Sequence, residues 1–482
     1  MKRFVVIASF TVLTSCVPQK QWRTKSYYSA PPAPTATTLP TTCPAEKPDK
    51  DVESRFVIPP DLSRCRIYSL AFVEFKNSGE MAQRDQLTEA LHAIDDADQR
   101  SGHHALAITF IHGWKNNAGQ ENNNVNDFRR ELNGIAQRAC KGAESQCGVI
   151  GIYLAWNGDL VSRYANTLRT VSIFNRTTTA QQVALKGQPP LTTTLAPIGD
   201  TLFKIMKRVK SGSGDLSQSN HSIVVGHSLG GLILEYTIYS RLEQIGRELA
   251  ASASPASLAD FADLVVLINQ ATPADHAVNL MSQYLKEGLN RSTFRQPCWD
   301  NSSIICAHPL VLSVASTTDL ATKTVLPVAA TLGLMPSNDR LPLPAGLPSS
   351  LDPTTVYHTG TAHANQLQSH VLNPGVCGPD RTLDNIPVHI VLPAYAPTNT
   401  TPSGALAAAE PIDYCVTPVS TAWDNTPYWA FEIPTEVVPD HGTIFTDRFV
   451  DFLKAFLPPL GSYNPMAPPP PPRMLAQPPR PQ

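Results

Sequence analysis

Residues 222–231 read SIVVGHSLGG, and this stretch restricts the fold more than any other in the chain. A β-branched run leads into Gly226-His227-Ser228-Leu229-Gly230, and a helical pattern follows directly, from Leu229 to about Leu249. A strand that turns into a helix around one serine needs a very tight turn. Positions two before and two after that serine cannot carry side chains without clashing, so Gly226 and Gly230 are required there. Ser228 is then pushed out from the end of the strand. The first N–H groups of the helix and its positive dipole end point at the same spot.

Strand-like and helix-like segments alternate around this turn. Strands are expected at 66–75, 105–111, 148–156, 221–225, 264–269, 310–315, 388–392 and 428–433, as short apolar or alternating runs. Helices are expected at 84–99, where Leu87, Leu91 and Ile94 share a face, and at 124–140, 229–249 and 446–456. Alternation of this kind predicts an α/β class, with a mostly parallel central sheet and helices on both faces. The ends differ in composition. Residues 16–60 are rich in Pro, Thr and Ser and read as a tether. Residues 458–482 contain PPPPPP and read as disordered or polyproline II. The folded domain is therefore placed at 61–457.

Three further motifs accompany the serine turn. Residues 108–114 read ITFIHGW and are followed by KNNAGQENNNVNDFRREL. The 148–156 strand ends in YLAWNGD, and His441 lies in HGTIF between the last strand and the last helix. With GHSLGG, these segments resemble α/β-hydrolases of the lipase and esterase kind, over roughly residues 66–457. The resemblance implies a Ser-acid-His order along the chain. Ser228 is the expected nucleophile and His441 the expected base. Asp319, after the strand LVLSVAS, is the expected acid, with Asp275 in ATPADHA as the alternative. Asp440 adjoins His441 and is poorly placed to face its ring. The resemblance also implies an oxyanion hole from the N–H groups of Trp114 and Leu229, with His112 and Gly113 in the supporting loop. His363 and His370 read as surface or satisfied polar residues. Residues 320–385, with VLPVAATLGLM, are expected to form a lid or other insertion, and 158–200 another wall. The chemistry implied is ester hydrolysis through an acyl-enzyme, without metal or cofactor. Two other readings stand beside it: an acyltransferase, and a non-catalytic envelope scaffold that keeps the fold, which does not by itself determine function.

The N-terminus carries Lys2 and Arg3, then a mostly apolar run from Phe4 to Leu13, too short to span a bilayer as a helix. Leu13-Thr14-Ser15-Cys16 resembles the lipobox of bacterial lipoproteins. That implies a signal peptide at 1–15, lipidation of Cys16 and a membrane partner. Val17 after the cysteine favours the outer membrane by the sorting rule of that class. An oxidising compartment permits disulfides. Cys140 with Cys147 and Cys298 with Cys306 flank short loops, and Cys43 with Cys65 and Cys377 with Cys415 would complete the set. A net charge of −2 from 38 basic and 40 acidic residues leaves no footprint for nucleic acid. The expected partner is a small-molecule or lipid ester. Oligomeric state is not encoded in any feature of the chain.

Overall fold

A computed structural model of the chain describes residues 20–25, 50–60, 66–140, 147–158, 166–185, 197–211, 220–251, 260–289, 295–297, 305–307, 309–331, 341–345, 347, 351–375, 377, 388–392, 411–419, 423 and 426–456. Cys16, the Pro-rich tail and parts of the expected tether and lid lie outside these residues.

The strands are β1 (Val57–Ile58), β2 (Ser69–Glu74), β3 (Leu106–Ile111), β4 (Val149–Ala155), β5 (His221–His227), β6 (Leu264–Ile268), β7 (Arg295–Pro297), β8 (Ile305–Ala307), β9 (Val311–Ser316), β10 (His370–Pro374), β11 (Val388–Leu392), β12 (Ile412–Pro418) and β13 (Tyr428–Ile433). The α-helices are α1 (Lys50–Glu53), α2 (Arg84–Arg100), α3 (Asn123–Ala139), α4 (Asn166–Leu185), α5 (Pro197–Ser211), α6 (Leu229–Ala251), α7 (Asp275–Lys286), α8 (Leu326–Thr331), α9 (Pro353–His358) and α10 (Asp447–Lys454).

Eight strands form the central sheet in the order β1-β2-β4-β3-β5-β6-β9-β13, and only β1 runs antiparallel to its neighbour. This is the expected α/β class. Parallel strands covered on both faces read as near-continuous apolar runs, which is why LAITFI, VIGIYLA and LVVLI were legible as strands. Alternate residues serve opposite faces. Val224 packs with Leu202, Leu232 and Leu87 on the face covered by α2, α5 and α6. Ile223 and Val225 pack with Phe128, Leu132 and Phe449 on the face covered by α3 and α10.

Sequence pattern and structure part in several places. Helices α4 and α5 occupy much of 158–200, where only a wall was expected, and α7 follows β6. β11 is a strand as expected, but it pairs with β12 in a separate sheet of order β10-β12-β11. The tether boundary also needs correcting. Within 16–60, residues 20–25 and 50–58 pack on the domain. Phe56 N donates to Lys25 O at 2.8 Å, and Arg23 is fully buried with Glu53. Composition over 17–60 is dominated by its Pro and Thr tract and hides the few residues that dock.

Cys140–Cys147 and Cys377–Cys415 form disulfides, with Cα atoms 5.2 and 5.1 Å apart. Cys43, Cys65 and Cys298 lie outside the described residues. No described helix is long and apolar enough to cross a membrane.

Candidate active site

From β3 the chain crosses to β4 on one side, and from β5 it crosses to β6 on the other. The order therefore reverses between β3 and β5, and the carboxyl ends of strands at such a reversal are where open α/β sheets hold ligands. Ser228 directly follows β5, and the His112-Gly113-Trp114 loop directly follows β3. A Cβ at Gly113 would lie 2.8 Å from Ser228 Cβ, so only glycine allows this approach.

The turn at Ser228 has the constraints expected from the sequence. Its φ is +56°, in the left-handed region that costs a side-chain-bearing residue energy. A Cβ on Gly230 would fall 2.1 Å from Ile111 O, and one on Gly226 would fall 2.8 Å from Gly230 O. Leu229 opens α6, so its N–H belongs to the first turn, whose donors have no acceptor within the helix.

His441 Nε2 lies 2.8 Å from Ser228 Oγ, and His441 Nδ1 lies 2.9 Å from Asp319 Oδ1. These three residues come from the turn after β5, the loop after β9 and the loop after β13. Ser228 and Asp319 are buried, while His441 is partly exposed. Burial disfavours ionised Asp319. Hydrogen bonds from the His363 side and from His441 and Thr322 outweigh it, and the carboxyl is held far below the usual carboxylate range. Its Oδ1 also accepts from the backbone N–H groups of Ala321 and Thr322, at 2.9 and 3.1 Å.

Asp275 is elsewhere: it begins α7, is buried, and its Oδ2 accepts from Leu341 N at 2.8 Å. Asp440 caps the loop of its own neighbours, accepting from Gly442 N and Thr443 N at 2.8 Å each.

Two residues in this arrangement, His227 and Asn269, were given no role by the sequence. His227 Nε2 donates to His441 O at 2.7 Å. Burial, then repulsion from His441, pushes the His227 imidazole down to about 3, so it is neutral and serves as a fixed donor. Asn269, with φ +47°, donates from Nδ2 to Asp440 O and His441 O and accepts from Ser316 N. Two side chains thus hold the carbonyl of His441 and leave its ring free to swing only about χ bonds. At the end of β3, His112 is fully buried and its imidazole is lowered to about 4 by burial. His112 Nε2 accepts from Trp156 N at 3.1 Å and Nδ1 donates to Gly113 O at 2.9 Å, while Trp156 Nε1 donates to His112 O. Lys115 N bonds Gly158 O, which ties the same loop to the end of β4. The motifs FIHGW and YLAWNGD are therefore two halves of one latch. His363 and His370 are both buried rather than surface residues, with His363 Nδ1 2.8 Å from Glu432 Oε1 and His370 Nδ1 2.8 Å from Ser369 Oγ.

Among the described residues, no group of three or more His, Cys, Asp or Glu side chains is arranged to hold a metal ion. Compared with known proteins, the chain matches no family model, no curated protein and no solved structure.

Proposed function

We propose that the chain is an α/β-hydrolase that cleaves carboxylic esters through Ser228. The observation that carries this reading is the continuous line from Ser228 Oγ to His441 Nε2 and from His441 Nδ1 to Asp319, at 2.8 and 2.9 Å. A hydroxyl, an imidazole and a buried carboxylate rarely align this way without a nucleophile to activate.

In this reaction Ser228 Oγ attacks the ester carbonyl carbon and His441 Nε2 takes the serine proton. The oxygen of the tetrahedral intermediate carries the charge and accepts from the N–H groups of Leu229 and Trp114, each worth about 3 kcal/mol. Collapse breaks the C–O bond, and His441 returns the proton to the departing alcohol. Water then attacks the acyl-enzyme by the same steps and releases the acid. Asp319 stays ionised throughout and fixes the tautomer of His441. The same reading places the mature chain on a bacterial envelope membrane through lipidated Cys16, with ester substrates that reach it there.

The test is labelling by a fluorophosphonate probe together with turnover of p-nitrophenyl esters of increasing acyl length. Wild type is expected to label and turn over. Ser228→Ala is expected to lose labelling and to lower kcat/KM by on the order of 10⁴-fold or more. Folded wild type that neither labels nor turns over any ester, with or without detergent, sinks the proposal.

A further inference from the structure

Behind Asp319, on the side away from His441, lies a second histidine. Asp319 Oδ2 accepts the Thr322 hydroxyl proton. That hydroxyl has only one proton, so towards His363 Nε2, 3.0 Å away, it can only accept. His363 Nε2 therefore carries a hydrogen. His363 Nδ1 faces Glu432 Oε1 at 2.8 Å, and a carboxylate also only accepts, so Nδ1 carries a hydrogen too. An imidazole with two N–H groups is a cation. Glu432 is in turn bound by Lys323 Nζ at 2.9 Å. The side chains facing one another here are Asp319 from the loop after β9, Thr322 and Lys323 from the turn that follows it, His363 from the 351–375 segment and Glu432 from β13. Their charges alternate in sign, and His441 closes the row.

We propose that His363 is a charged positioning residue of the Ser228 site, an imidazolium that holds Asp319 ionised and aimed at His441. This inference rests on the hydrolase reading of that site. His363 touches neither Ser228 nor any reacting atom. It acts through Thr322 and Asp319. His363 Nε2 is 4.0 Å from Asp319 Oδ2 and both side chains are buried, so the ion pair is poorly screened. Burial alone opposes a charge on His363, but the hydrogen bond towards Asp319 and the one to Glu432 outweigh it and raise its basicity. Segment 351–375, which sequence placed in a lid, thus supplies a support for the triad acid from beneath. Without the cation, Asp319 keeps two outlets for its uncompensated charge. It can take a proton and stop orienting His441, or it can draw a proton onto His441 before substrate arrives. Either removes active base near neutral pH.

The experiment compares wild type, His363→Phe, Glu432→Gln and the double variant. Readouts are kcat and KM against pH for a p-nitrophenyl ester, and ¹⁵N-histidine NMR titration of the same proteins. His363→Phe is expected to lower kcat roughly 10–100-fold with KM unchanged. The acid limb of its kcat/KM profile is expected to rise by about one pH unit, as for a lost neighbouring cation. Glu432→Gln, at a half-buried position, should move the limb the same way by less, and the two effects should not add. NMR should show both ring nitrogens of His363 protonated at pH 7 in wild type. A neutral His363 at pH 7, or variants that fold with an unmoved His441 titration, overturns the proposal. The NMR arm needs no turnover. If wild type hydrolyses no ester, the hydrolase reading fails while the coupling of His363 to His441 is still measured.

Discussion

At the scale of single residues, the site is held more by the groups around His441 than by His441 itself. Its carbonyl accepts from His227 and Asn269, and its ring reaches Ser228 and Asp319. Asn269 does two jobs there: its side chain joins β9 to the His441 loop, and its backbone sits at φ +47°, which Asn tolerates better than most residues. Asn269→Ala and Asn269→Gly separate them. Both variants lose the side-chain bonds and are expected to destabilise the fold by about 2 kcal/mol and lower kcat. The alanine variant should be a further ~1 kcal/mol worse, because Gly adopts this φ freely and Ala does not. Urea unfolding measures the difference; equal stability of the two variants would show that the backbone carries no strain.

At the scale of elements, α6 combines two demands. Its N-terminus frames Ser228, and its next turns run fully buried between the sheet and α4 and α7. Glu235 lies in that buried stretch, with Oε1 accepting from Tyr428 OH at 3.3 Å. Burial, the dominant cause, raises its carboxyl to about 7, against the ordinary value of 4.5. An acid raised on folding is protonated in the native state while the unfolded chain ionises. Stability therefore falls as pH rises from about 4.5 to about 7, by up to about 3 kcal/mol, and stays lower above that. Glu235→Gln removes this dependence. The variant is expected to match wild type near pH 4.5 and to exceed it by up to about 3 kcal/mol at pH 8, read by chemical denaturation at both pH values. A wild-type minus variant difference that does not change with pH would exclude a neutral Glu235.

At the scale of the molecule, the N-terminal residues 20–25 are part of the fold. Trp22 N and Arg23 N donate to the two oxygens of Glu74 at the end of β2, each at 2.9 Å, and Trp22 lies against Gly119 in the loop after Trp114. The Arg23 guanidinium stacks over Phe72 and reaches Glu53, which Arg129 also binds at 2.7 Å. Burial lowers Arg23 basicity to about 10, and Glu53 supports its charge. Arg23→Met leaves Glu53 with fewer cations in a site closed to water. The expected loss is about 3 kcal/mol of unfolding free energy, with the triad geometry intact and kcat unchanged below the melting range. A variant as stable as wild type would mean that this segment only rests on the domain.

Periodicity and local chemistry were enough to locate most of the central strands, the helices α2, α3, α6 and α10, and the turn that presents Ser228. Each of these is written within a few residues: apolar runs for doubly covered strands, a 3.6-residue period for helices, two glycines where a Cβ has no room. The candidate partner His441 was also legible, from its place between the last strand and the last helix. The acid was legible as a preference for Asp319 with Asp275 as the alternative, and position along the chain could take it no further. Both follow an apolar strand, and only the packing of β9 beside β13 brings one of them to His441 while α7 carries the other away. His227, Asn269, Thr322 and His363 were unreadable for the same reason. Their partners lie between 3 and 214 residues away, with no repeat or pattern to connect them. Local sequence sets what each segment becomes, because backbone sterics and side-chain periodicity act over a few residues. Which polar groups meet is decided when the sheet closes, because a buried charge must find its counterpart wherever the chain has carried it.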